Sequence, residues 1–197
     1  MIRKQRTLRT PVEFSGPGLH SGEVVRARML PAPVDHGVEF LRTDIAGSEP
    51  IPATIAYHSQ KDRRTRLARD GAEVETVEHM LAVCAGLGLD NLTVEMSGPE
   101  FPGLDGSALE ILRLVQQAGV VDQSAEAKHF KLQEPVFVRE GNATLVALPS
   151  DKPALTVQYA AAFDEPGVEG GTFQIDLSPE TFSKEIAPAR TFCLASE

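Results

Sequence analysis

Thr76-Val77-Glu78-His79-Met80-Leu81-Ala82-Val83-Cys84-Ala85-Gly86-Leu87, followed after Gly88 by Leu92-Thr93-Val94-Glu95-Met96, is the stretch on which the fold turns. In its first part Val77, Met80, Leu81, Cys84 and Leu87 recur at three- and four-residue steps, the period of a helix with one apolar face. Thr76 is placed to cap that helix, and Gly86 and Gly88 to stop it. The second part, Leu92 to Met96, is short and rich in strand-forming residues. A helix that gives way directly to a strand marks a mixed domain.

Working outward, short apolar runs at Val24 to Leu30, Val38 to Leu41 and Ile51 to Ile55 are separated by Pro31, Pro33, Gly37, Gly47 and Pro50, which predicts strands. On the other side, a turn-rich loop through Pro99, Pro102 and Gly103 leads to a second helix. That helix begins near Ser107, carries Leu109, Ile111, Leu112 and Val115 on its apolar side, and ends at Gly119. Residues 1–122 therefore form a first α+β domain, and the polar residues 123–128 a linker. Residues 129–197 carry strand patterns at Val136 to Val138, Thr144 to Leu148, Leu155 to Tyr159 and Thr172 to Leu177, then one short helix from Pro179 to Lys184. An apolar sheet face needs a covering layer. This second α+β domain has almost no helix to supply one, so it is expected to be incomplete or completed by a partner, with apolar sheet surface that is either loosely ordered or covered by a missing segment or a partner chain.

The composition bounds the function. With 197 residues, 42% of them hydrophobic and 24% charged, the chain can bury a core. A net charge of −9 argues against a nucleic-acid partner, because phosphate backbones are held by positive surface. Cys84 and Cys193 lack the paired spacing of a redox motif or zinc knuckle. The basic start Met1-Ile2-Arg3-Lys4-Gln5-Arg6 is followed by no long apolar run, so neither a signal peptide nor a transmembrane segment is expected, and the predicted location is cytoplasmic.

Glu78 and His79 are the first candidates for chemistry. A helical imidazole can bind a metal while the neighbouring carboxylate takes a proton from water. An isolated Glu-His pair is also a common solvated surface pair, and a catalytic zinc needs about three protein ligands, so His79 alone does not suffice. His58 and Asp62 have His-x-x-x-Asp spacing, but no apolar periodicity supports a helix there. His20, in Gly16-Pro17-Gly18-Leu19-His20-Ser21-Gly22, sits either in a close-approach glycine loop or in a plain hairpin turn. Arg63, Arg64, Arg66 and Arg69 can grip a diphosphate or form a solvated face. Asp105, before the second helix, is best explained as a cap. His36 and His129 receive no role.

Gln5-Arg6-Thr7-Leu8, Gly18-Leu19-His20-Ser21-Gly22, Pro31-Ala32-Pro33, Arg42-Thr43-Asp44, Thr76-Val77-Glu78-His79, Ala85-Gly86-Leu87-Gly88-Leu89-Asp90-Asn91, Asp105-Gly106-Ser107-Ala108 and Ala189-Arg190-Thr191-Phe192 together resemble, in order, the UDP-3-O-acyl-N-acetylglucosamine deacetylases of lipid A biosynthesis. The resemblance implies two α+β domains, each a sheet packed on two helices, with the active site between them. It implies a zinc-dependent hydrolase acting on a UDP-acyl-glucosamine. At matching positions His79 looks like the first zinc ligand and Glu78 like the base that activates water. Thr191 resembles the threonine that stabilises the oxyanion. Phe192 would line the sugar pocket, with Leu19 and His58 bordering the cleft. The family's other two zinc ligands form a His-x-x-x-Asp pair downstream of the Ala-Arg-Thr-Phe motif, so they are expected beyond residue 197 and this chain alone is expected to be inactive. The alternative is a non-catalytic truncated relative that binds a nucleotide sugar or a partner protein.

Overall fold

A computed structural model describes residues 3–162 and 170–191. The chain divides into two compact units, one of Arg3–Ala127 together with the segment from Ser178 on, the other of Lys128–Leu177.

The first unit is built on a five-stranded sheet of β2 (Val12–Pro17), β3 (Val24–Pro31), β9 (Leu92–Met96), β4 (Val38–Arg42) and β5 (Ile51–Pro52), in that spatial order. β9 runs antiparallel to β3 and parallel to β4. Alternation explains the strands: Val25, Ala27 and Met29 of β3 and Leu92, Val94 and Met96 of β9 are buried, with more exposed residues between them. The buried stripes of α1 (Glu78–Leu87) and α2 (Leu109–Ala118) complete the core, and α2 touches both α1 and β2. A three-stranded sheet of β6 (His58–Ser59), β7 (Arg66–Arg69) and β8 (Ala72–Glu75) leads into α1.

Three details differ from the sequence expectation. Residues 120–126, which overlap the expected linker, form β10 (Val120–Glu126), paired antiparallel with β1 (Lys4–Leu8). Polar residues suit this strand because its side chains join a buried hydrogen-bonded web, described below. Gly86 lies inside α1 rather than ending it: a Cβ there would overlap the ring of Phe182. Gly88 is the residue that ends α1, at φ 67, with its N–H reaching the carbonyls of Ala85 and Cys84. The short carboxy-terminal helix, α3 (Pro179–Thr181), runs into a π-helical turn at Phe182–Ile186 and packs on the first unit through Phe182, which is 2% exposed. Ser178 caps it, with its hydroxyl accepting from the Thr181 N–H at 3.1 Å.

The second unit contains two antiparallel hairpins, β11 (Val136–Glu140) with β12 (Ala143–Ala147), and β13 (Thr156–Ala161) with β14 (Gly171–Asp176). No helix occurs among the described residues of Lys128–Leu177. Phe137, Val138, Leu145 and Tyr159 are all more than half exposed, as the lack of a covering layer predicts.

Candidate functional site

Glu78 and His79 open α1, and both are half-buried. The turn before them is strained. Thr76 sits in the left-handed region at φ 57, a costly conformation for a β-branched residue. Thr76 does not cap α1 as expected; the cap position falls to Val77, which has no side chain able to cap. The Thr76 hydroxyl instead donates to Glu100 Oε1 at 3.0 Å. The Thr76 N–H donates to the Thr65 carbonyl at 3.0 Å, and the Thr65 N–H donates to Glu78 Oε2 at 3.0 Å. One backbone residue therefore anchors the turn and the Glu78 carboxylate together.

Glu100 is the residue sequence reasoning missed. It stands in the turn-rich loop, at Pro99-Glu100-Phe101-Pro102, and is 3% exposed. Besides Thr76, its oxygens accept from the His20 N–H at 2.9 Å and the Ser21 N–H at 2.8 Å. Burial alone would raise its pKa, but hydrogen bonds from the Ser21 hydroxyl, the His20 and Ser21 N–H groups and the Thr76 hydroxyl outweigh it and hold the carboxyl below the usual glutamate range. The only sequence signal was a carboxylate inside an apolar, proline-flanked run. Such a group must find donors when buried.

The Leu19–His20 segment is the β2–β3 hairpin turn. His20 is exposed, and the turn's backbone points inward at Glu100. Gly18 is required there, since a Cβ would overlap the Glu100 carboxylate. Leu19 lies against Gly103, where a Cβ would overlap its side chain, and it remains 40% exposed. Leu19 and His20 are thus tied through Glu100 to the turn that presents Glu78 and His79.

Thr191 is exposed, and its N–H donates to the Gly106 carbonyl at 2.8 Å, while Arg190 Nε donates to the Asp105 carbonyl at 2.7 Å. The Asp105-Gly106-Ser107 turn is therefore the seat of the Ala-Arg-Thr motif. Asp105 caps α2 only by relay: its carboxylate accepts from the Ser107 hydroxyl at 2.7 Å, and that hydroxyl accepts from the Leu109 N–H at 3.1 Å. The Ser107 bond is also the main reason the Asp105 carboxyl lies below its ordinary range. Phe192 lies outside the described residues. His58 is exposed in β6, paired through its backbone with Leu67, and Asp62 follows in a turn rather than on a helix.

The arginine run does not form an open diphosphate grip. Arg64 pairs with Glu75 at 2.7 Å, and Arg66 binds Glu73 and the Ser59 hydroxyl. Arg69 donates to the Pro50 carbonyl at 2.8 Å and lies over the Tyr57 ring. These guanidinium groups are spent on holding β6, β7 and β8 in place. Several other quoted motifs are structural as well. Asn91 Nδ2 donates to Gln5 and Gln123, its Oδ1 accepts from the Gly37 N–H, and its carbonyl accepts from the Thr7 hydroxyl. Arg42 grips Asp44 with two hydrogen bonds.

A family profile described as "LpxC: UDP-3-O-acyl N-acetylglycosamine deacetylase" matches residues 5–197. The chain belongs to this deacetylase family. Among curated family members, UDP-3-O-acyl-N-acetylglucosamine deacetylase of Saccharophagus degradans is 40% identical over 191 residues, covering 96% of this chain and 62% of that relative. The protein of the same name from Myxococcus xanthus is 40% identical over 188 residues, covering 95% and 59%. That of Thermosynechococcus vestitus is 40% identical over 193 residues, covering 98% and 66%. The chain thus spans about three fifths of the length of the first two deacetylases and slightly more of the third. Membership of the deacetylase family fits the α+β class of the fold. Among the described residues, no group of three or more His, Cys, Asp or Glu is placed to hold a metal ion. No helix among them is long and apolar enough to cross a membrane.

Proposed function

We propose that this chain is the Glu78/His79-bearing part of a zinc-dependent hydrolase that removes the acetyl group from UDP-3-O-acyl-N-acetylglucosamine in the cytoplasm, a step of lipid A biosynthesis. The observation that carries it is the start of α1, where the Glu78 carboxylate is fixed by the Thr65 N–H at 3.0 Å beside a half-buried His79. Family membership supplies the reaction class.

The residues present fit one vertex of a metal site rather than a whole one. His79 is the ligand this chain would offer, and two more are proposed to lie beyond residue 197. Zinc, when bound, supplies the Lewis acidity that brings the pKa of water towards about 7. Glu78 acts as the general base. Its Oε2 is held by Thr65, which orients the carboxylate so that its other oxygen takes the proton of the attacking water. The Thr191 hydroxyl donates to the oxygen that gains charge as the acetamide carbonyl is attacked. Its position is set by the Gly106 carbonyl on the Thr191 N–H. Leu19, exposed and seated on Gly103, offers apolar surface beside the substrate, and His58 and Phe192 are assigned to the same cleft.

The test is a deacetylation assay on the full-length protein with measured zinc content. Wild type should release acetate. Glu78→Gln should retain zinc and lose at least about a hundredfold in kcat, and His79→Ala should lose zinc and activity together. Tight binding of the UDP-sugar without acetate release in wild type would establish a non-catalytic relative instead.

A further inference from the structure

The Glu78/His79 turn and the Leu19–His20 turn come from distant parts of the first unit's sequence, and one buried carboxylate joins them. We propose that Glu100 is a positioning residue of the deacetylase site, holding the β2–β3 turn and the left-handed Thr76 turn in fixed register so that Glu78 is presented to the substrate held beside Leu19. The proposal rests on the deacetylase reading given above.

Five features support it. Glu100 is 3% exposed, yet both of its oxygens are taken up by donors from separate segments. Gly18 has no room for a Cβ because that carboxylate occupies the space, so the turn is built around Glu100 rather than merely near it. Thr76, at φ 57, is held in a conformation it would not adopt by itself, and its hydroxyl bond to Glu100 is one of the two polar contacts that hold it there. Its second contact is the Thr65 carbonyl, and Thr65 in turn holds Glu78. The path from Glu100 to the base therefore runs through three hydrogen bonds and two intervening residues, Thr76 and Thr65. Glu100 is also pinned along its own backbone: the Glu75 N–H donates to the Pro99 carbonyl at 2.8 Å and the Phe101 N–H to the Glu75 carbonyl at 2.9 Å.

The experiment uses the full-length protein with zinc and the UDP-acyl-glucosamine substrate. Glu100→Gln keeps the volume but turns an amide NH₂ toward groups that themselves donate. It is expected to stay folded, to speed hydrogen exchange at the His20 and Ser21 amides, and to lower kcat per folded molecule about 10–100-fold, the scale set by small misplacements of reacting groups. Thr76→Val, which removes only the hydroxyl, should lower kcat in the same direction, and Thr76→Ser, which restores it, should return kcat to within about threefold of wild type. A folded Glu100→Gln protein with wild-type kcat overturns the proposal, as does a Thr76→Val protein indistinguishable from Thr76→Ser. If Glu100→Gln does not fold, the Thr76 pair decides by the same criterion. Wild-type protein with no deacetylase activity would sink the deacetylase reading and this proposal with it. Active wild type with unaffected variants sinks the proposal alone.

Discussion

The two units use their polar groups in opposite ways. In the first, Gln5, Thr7, Asn91 and Glu100 are all buried and each is answered by named donors or acceptors from distant segments. In the second, Ile175 is the one buried residue among those described in Lys128–Leu177, and the side-chain bonds that Asp176 accepts from Lys152 and Thr156 are exposed. Hydrophobic alternation tolerates a two-residue slip of register, whereas an unanswered buried amide costs free energy at every wrong alignment. The first unit is therefore held in a single arrangement by its polar web, and the hairpins of the second are held mainly by their ladders.

Removing Asn91 should give the largest effect that separates the units. Asn91→Leu strands the side-chain oxygens of Gln5 and Gln123 and the Gly37 N–H, and is expected to destabilise by roughly 3 kcal/mol in urea unfolding. A loss under about 1 kcal/mol would break the claim that this web specifies the first unit.

Next is Gly86→Ala. In an ordinary helix that change stabilises by about 0.5–1 kcal/mol. Here the new methyl meets the Phe182 ring, so the sign should reverse to a loss of about 1–3 kcal/mol, with part recovered in Gly86→Ala/Phe182→Leu. Thermal melts of the single and double variants test it.

A smaller effect lies in the pH dependence of Glu100. Its folded pKa is depressed, so its ionised form stabilises the fold above the unfolded value near about 4.3, and that contribution is lost as pH falls through the folded pKa. The stability gap between wild type and Glu100→Gln should be widest near pH 7 and shrink below pH 4. A gap constant across that range would mean the charge contributes nothing.

The smallest effect should be Leu145→Thr, at an exposed position opposite Val138 in the β11–β12 hairpin, with a change within about 0.5 kcal/mol for this chain. Repeating it in full-length protein sharpens the comparison, because a cost above about 2 kcal/mol there would show that the apolar face is covered.

Much of this was legible in the sequence. The period of Val77 to Leu87 and the run Leu92 to Met96 produced α1 and β9, and the runs at Val24 and Val38 produced β3 and β4. What escaped was whatever depended on distant partners. β10 looked like a linker because its polar side chains are answered only in three dimensions: Gln123 donates to the Ala32 carbonyl and accepts from Asn91. Gly86 looked like a helix stop because the reason for it, Phe182, lies far along the chain. The site divides the same way. Glu78 and His79 could be picked out because their side-chain chemistry is local, whereas Glu100 could not, since its significance comes from the turn at His20 and the strain at Thr76. Motif density also overstated the site: Gln5, Asn91 and Arg42 serve architecture.

The seat of Phe182 over Gly86 has a consequence for biosynthesis. The helix that opens with Glu78 and His79 leaves the ribosome roughly a hundred residues before the ring that packs on it. At about 5–20 residues per second, the nascent chain spends roughly 5–20 s with that flank of α1 bare. A translational pause just upstream of Ser178 would lengthen that interval without altering a single contact of the finished protein.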